Sequence, residues 1–112
     1  MKLKPSLREK KRYLVIKVIS KEKFSYNVIK SALEEKMKEF LGTLLLSKAS
    51  PILLKEKFNK ENQTLIIKIN NKYVNELKAS LTLVKEVGDK KVIVKSVVCS
   101  GTLKKATTYL DK

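Results

Sequence analysis

RYLVIKVIS, residues 12–20, decides how this chain is read. β-Branched and aliphatic side chains dominate it and neither Gly nor Pro interrupts it, so the stretch predicts a β-strand. Alternation sends Leu14, Ile16 and Val18 to one face and Tyr13, Val15, Lys17 and Ile19 to the other. The first set carries no charge and is the core face. A strand apolar on one side needs a covering layer.

The next segment supplies that layer. Ser25 stands as a helix cap, and Ile29, Leu33, Met37, Phe40 and Leu41 follow at helical spacing, with Ala32 between them. Glu34 and Lys38 form an i,i+4 pair on the outer side, and Gly42 is a stop. Leu44-Leu45-Leu46 reads either as a buried lead-in or as the start of a strand. Pro51 before Ile52-Leu53-Leu54-Lys55-Glu56-Lys57-Phe58 predicts an edge strand. Asn59 to Asn62 makes a hairpin loop. QTLIIKIN, residues 63–70, returns as a strand with Leu65, Ile67 and Ile69 on one face and Ile66 and Lys68 opposite. Asn70 or Asn71 caps a second helix lined by Tyr73, Leu77, Leu81 and Val84. Gly88-Asp89 turns the chain into a last strand, KVIVKSVVC, residues 91–99, and Thr102 opens a short helix burying Leu103, Ala106 and Leu110.

The order is β-α-β-β-α-β and then a helix. It predicts an α+β, ferredoxin-like and RRM-like sandwich. Its four-stranded antiparallel sheet carries two helices on one face, and an additional helix follows at the C-terminus. The first and third strands are central. Residues 1–11 read as a basic N-terminal arm and residues 12–112 as one α+β domain. The open sheet face then presents Tyr13, Val15, Lys17, Ile66, Lys68 and Lys95. It is a surface for RNA or a partner, or the seat of the C-terminal helix.

Charge narrows the function. Lys and Arg number 26 against 11 Asp and Glu, a net charge of +15 on 112 residues. Such an excess disfavours compactness by self-repulsion and suits a polyanionic partner. Cys99 is the one cysteine, so no intramolecular disulfide forms, which fits a reducing interior. No apolar run approaches a membrane span, and the N-terminal residues are too charged for a signal peptide, so a cytoplasmic location is expected. There is no histidine. No triad, paired-carboxylate motif, P-loop or zinc spacing occurs, so neither catalytic nor metal-binding residues are assigned.

Two segments carry the contact chemistry. Arg8, Lys10, Lys11 and Arg12 run into the first strand and reach phosphates without reading sequence. Ser100-Gly101-Thr102, followed by Lys104 and Lys105, leads from the last strand into the last helix. That turn is either a phosphate cradle of free backbone N–H groups or an ordinary capped helix start. The third strand offers no aromatic side chain and Tyr13 is alone on the first, so base stacking of the RRM kind is poorly supported.

LREKKRYLVIKVIS (7–20), LKASLTLVKEV (77–87) and VKSVVCSGTLKKA (94–106) together resemble archaeal ribonuclease P protein component 2, the counterpart of the eukaryotic Pop-five subunit. The resemblance is collinear from Leu7 to Ala106. It implies a protein subunit of the ribonucleoprotein that removes 5′ leaders from precursor tRNA, binding and stabilising a catalytic RNA. The RNA and its magnesium ions perform the chemistry, and the protein binds no cofactor. The implied partners are ribonuclease P RNA, precursor tRNA in the holoenzyme, ribonuclease P protein component 3 and further copies of the chain. RNA contact is carried onto Arg8, Lys10, Lys11 and Arg12, and onto Ser100, Gly101, Thr102, Lys104 and Lys105. The rival reading is a general RNA- or DNA-binding module with no part in tRNA processing.

Overall fold

The computed structural model describes residues 10–110. Nine named elements follow one another among them: β1 (Lys11–Ile19), α1 (Tyr26–Ala49), β2 (Ile52–Leu53), β3 (Thr64–Asn70), α2 (Val74–Thr82), β4 (Glu86–Val87), β5 (Lys90–Lys91), β6 (Ile93–Ser100) and α3 (Leu103–Thr107). The main sheet has the order β2-β3-β1-β6 and every pairing in it is antiparallel. β1 and β3 are central, and each buries apolar side chains on both faces. This is the expected α+β sandwich.

The core lies between the sheet and the helical layer. Leu14, Ile16 and Val18 of β1 and Leu65, Ile67 and Ile69 of β3 meet Ile29, Leu33 and Met37 of α1 and Leu77 and Leu81 of α2. Each is nearly or wholly removed from solvent. Full burial of such side chains contributes about 1.5–3 kcal/mol apiece.

Several local expectations are revised. Gly42 does stop the first helix, at φ 75° and ψ 168°, a conformation close to Gly-only space. The chain then resumes helix to Ala49 instead of entering a strand. Leucine favours helix strongly, and burying Ala49 anchors the restart. Ser25 holds the cap position, but its hydroxyl makes no capping bond. Glu34 pairs with Lys30 (3.8 Å) and not with Lys38. β2 is cut to Ile52–Leu53, and a single 3₁₀ turn at Lys55–Lys57 replaces the rest of the expected strand. Phe58 is drawn instead against Tyr26, ring centroids 5.9 Å apart. The Tyr26 hydroxyl donates to the Leu53 carbonyl (3.2 Å), tying α1 to the sheet edge.

The turn at Gly88-Asp89 is the tip of a small β4–β5 hairpin, with Gly88 at φ 63°. In β6 the register slips by one residue opposite Val15 and Ile16, leaving Val97 as a bulge between Ser96 and Val98. Because of that extra residue Val94 and Cys99 both reach the core side, where Cys99 packs as a small half-buried hydrophobe.

Candidate nucleic-acid interface

Antiparallel pairing brings the two basic segments together. The start of β1 lies beside the end of β3 (Lys11 opposite Asn70, Arg12 opposite Ile69) and beside the end of β6 (Tyr13 opposite Ser100). One margin of the sheet therefore collects Lys10, Lys11 and Arg12, the β3 exit at Asn71-Lys72, and Ser100-Gly101-Thr102.

Arg12 is the joint. Its Nε donates to the Asn71 Oδ1 at 2.9 Å. A Cβ added at residue 101 would sit 2.8 Å from its Nη1. The guanidinium thus rests over Gly101 in space that only a residue without a side chain leaves open. The Asn71 backbone N–H donates to the Lys10 carbonyl at 2.7 Å, which holds the first described residue to the same margin. Lys72 is exposed here too, with its backbone N–H held by the Asn70 side chain at 3.0 Å. Lys72 is not among the residues that the sequence singles out. Its position at the exit of the third strand, beside the entrance of the first, was the available signal. Arg8 lies outside the described residues.

The Ser100-Gly101-Thr102 turn is a capped helix start. Ser100 Oγ accepts from the Thr102 N–H (3.2 Å), and Thr102 Oγ1 accepts from the Lys105 N–H (3.3 Å). Two of the N–H groups that a phosphate cradle would offer are already bonded, and α3 is only five residues long. What the turn does present is charge, because Lys104 and Lys105 are exposed. Among the described residues, the ion pairs join Lys23 to Glu61, Lys30 to Glu34, Lys36 to Glu39 and Lys90 to Glu22. None uses a cation of this margin.

The other sheet face, which the sequence left to RNA, a partner or the C-terminal helix, is the seat of that helix. Val15 and Ile66 are fully buried, forming a second apolar cluster with Ala106 and Leu110. Neither can touch RNA or a partner, because the C-terminal helix sits on them. Tyr13 is half-buried and packs on the same cluster with Leu54, Val98, Leu103 and Tyr109. Lys17 and Lys68 flank it, partly exposed. The carbonyl of Leu110 is pinned by three donors: Thr64 Oγ1 (2.7 Å), Asn62 Nδ2 (3.2 Å) and Asn59 Nδ2 (3.3 Å).

No group of His, Cys, Asp and Glu among the described residues is placed to hold a metal ion. Among them no helix is long and apolar enough to cross a membrane.

The fold is that of a chain in the cryo-EM structure of yeast ribonuclease MRP. The two superpose with a TM-score of 0.65 at 13% identity, over 96% of this chain and 90% of that one. Closer relatives share sequence as well. Ribonuclease P protein component 2 of Pyrococcus furiosus is 41% identical over 103 residues, 92% of this chain and 84% of that protein. The proteins of the same name from Thermococcus kodakarensis and Archaeoglobus fulgidus are 37% and 32% identical, over 92% and 97% of this chain and 84% and 96% of theirs. The model of the Rpp14/Pop5 family matches residues 12–110, and the chain belongs to that family. Its role is that of a ribonuclease P protein subunit.

Proposed function

We propose that this subunit binds the catalytic RNA of ribonuclease P through the sheet margin built around Arg12, and that it stabilises the RNA for removal of 5′ leaders from precursor tRNA. The observation that carries the reading is the Arg12 guanidinium, bonded to Asn71 and lying over Gly101. It joins basic segments about ninety positions apart in sequence into one surface, and none of the described cations there is in an ion pair. Lys10, Lys11, Lys72, Lys104 and Lys105 add charge around it, and Arg8 precedes it in sequence.

The mechanism is electrostatic. Cations fixed on a rigid sheet edge neutralise closely spaced phosphates and release their counterions, which lowers the cost of folding the RNA tightly. In this reading the protein contributes no reacting group. Catalysis rests with the RNA and its magnesium ions, and precursor tRNA meets the assembled particle. Ribonuclease P protein component 3 is the protein partner, and the chain self-associates within the particle. The chain works in the cytoplasm and binds no cofactor itself.

Reconstituted cleavage of precursor tRNA tests this. Adding the chain to the RNA and the remaining subunits should raise the rate or lower the magnesium requirement, and Arg12→Ala should blunt either gain. An unchanged rate and magnesium requirement on adding the wild-type chain would refute the proposal. Cleavage by the chain alone, free of RNA, would refute the assignment of catalysis to the RNA.

A further inference from the structure

The charge of this protein is sorted between its layers. β1, β2, β3, β6 and α3 contain no Asp or Glu, yet they hold Lys11, Arg12, Lys17, Lys68, Lys95, Lys104 and Lys105. The described acids stand on α1, α2, the β4–β5 hairpin and the turns. The sheet and α3 therefore form a layer carrying cations alone.

Within that layer one pair is placed against its own stability. Lys17 and Lys95 are direct partners across β1 and β6. Alternation from Val15, which α3 covers, puts Lys17 on the α3 face, and its partner Lys95 with it. Like charges directly opposite each other destabilise a sheet. Neither lysine belongs to any ion pair among the described residues.

The pair is also remote from the margin. Lys17 lies five residues along β1 from Arg12, about 17 Å at the usual strand rise. Arg12 shares the core-side face with Leu14, whereas Lys17 is on the opposite face. No single phosphate reaches both. The chain has two cationic sites at opposite ends of one rigid strand, with the apolar seat of α3 between them.

We propose that Lys17 and Lys95 form a second RNA-phosphate contact, so that β1 bridges two separate segments of the same RNA. The proposal rests on the reading that the margin binds RNA. The apolar neighbours Ile19 and Ile93, 44% and 63% exposed, would also suit a protein. Two isoleucines make a small patch beside an uncompensated double charge, and the charge decides for the polyanion.

The test uses the full chain and a ribonuclease P RNA. Binding is titrated between 50 and 200 mM salt for wild type, for the double variant Lys17→Ser/Lys95→Ser and for Arg12→Ala. Losing two phosphate contacts should flatten the plot of log affinity against log salt by about 1.4–1.8. Over that fourfold salt range the wild type should then lose roughly 7- to 12-fold more affinity than the double variant. Lys17→Arg/Lys95→Arg should restore the slope. The double variant should melt no lower than wild type, because it relieves a repulsion. Footprints should show it losing protection at nucleotides other than those lost with Arg12→Ala. An unchanged slope in the double variant, with wild type bound tightly, overturns the bridge and leaves the margin reading standing. The bridge equally falls if the double variant keeps its RNA slope but loses a protein subunit. Failure of wild type to bind the RNA removes both readings.

Discussion

Replacing Ile66 by Ala tests whether α3 is a structural lid or a loosely attached tail. Ile66 lies in the middle of β3, between β2 and β1, and has no exposure. Its side chain meets Val15, Ala106 and Leu110. Deleting a buried Ile to Ala costs about 2–5 kcal/mol, the spread reflecting how far the walls collapse. Here two walls are hydrogen-bonded strands that cannot move. The third is α3, and the three donors on the Leu110 carbonyl restrain it. Partial settling places the loss near the middle of that range, about 3 kcal/mol. Were the face open to solvent, the same change would cost only a strand-propensity difference, at most about 1 kcal/mol. Urea unfolding at constant m measures the difference, and the melting temperature should fall by about 12 °C. Lys68→Ala, two residues along the same face, is the control and should shift stability by less than about 0.5 kcal/mol. A loss below about 1 kcal/mol for Ile66→Ala would mean that α3 is only loosely attached.

Other consequences follow from the same contacts. Thr64→Val removes the 2.7 Å bond to Leu110 but leaves that carbonyl two amide donors, so chemical denaturation should show a loss of only about 0.5–1.5 kcal/mol. A larger loss would mean that the asparagines do not hold the carbonyl. Gly101→Ala should push the Arg12 guanidinium off Asn71 while keeping its charge. RNA affinity should drop severalfold with little change in melting temperature, and equal affinity would show that the position of Arg12 is immaterial. Burial, helped by Glu34 and Glu56, raises the Tyr26 hydroxyl above its ordinary value of 10.0. The folded state therefore keeps that proton longer than the unfolded state does. The stability this adds is whole below pH 10 and is lost as pH rises through the folded value. Tyr26→Phe should flatten the alkaline decline of the unfolding midpoint, and an identical decline in the variant would assign it elsewhere.

Periodicity alone was enough for much of this molecule. The alternation in residues 12–20 and 63–70 picked the face turned to α1 and α2 correctly, because Lys17 and Lys68 mark the other one. The split β-α-β order then left few topologies with short, right-handed connections. The cations at both ends of the chain were equally visible, since net charge is a property of composition. Local propensity failed where tertiary neighbours decided. Leu44 to Leu46 read as a buried lead-in or a strand start, and the helix that forms there depends on the turn at Gly42 and the burial of Ala49. Val15 and Ile66 suited either a contact surface or the seat of α3, and the packing of Ala106 and Leu110 on them decides for the seat. Strand alternation distinguishes two faces but does not say which element lies on each. The meeting of Arg12 with Gly101 and Asn71 likewise belongs to the pairing register, since hydrogen-bonded strands bring together residues that no local pattern relates.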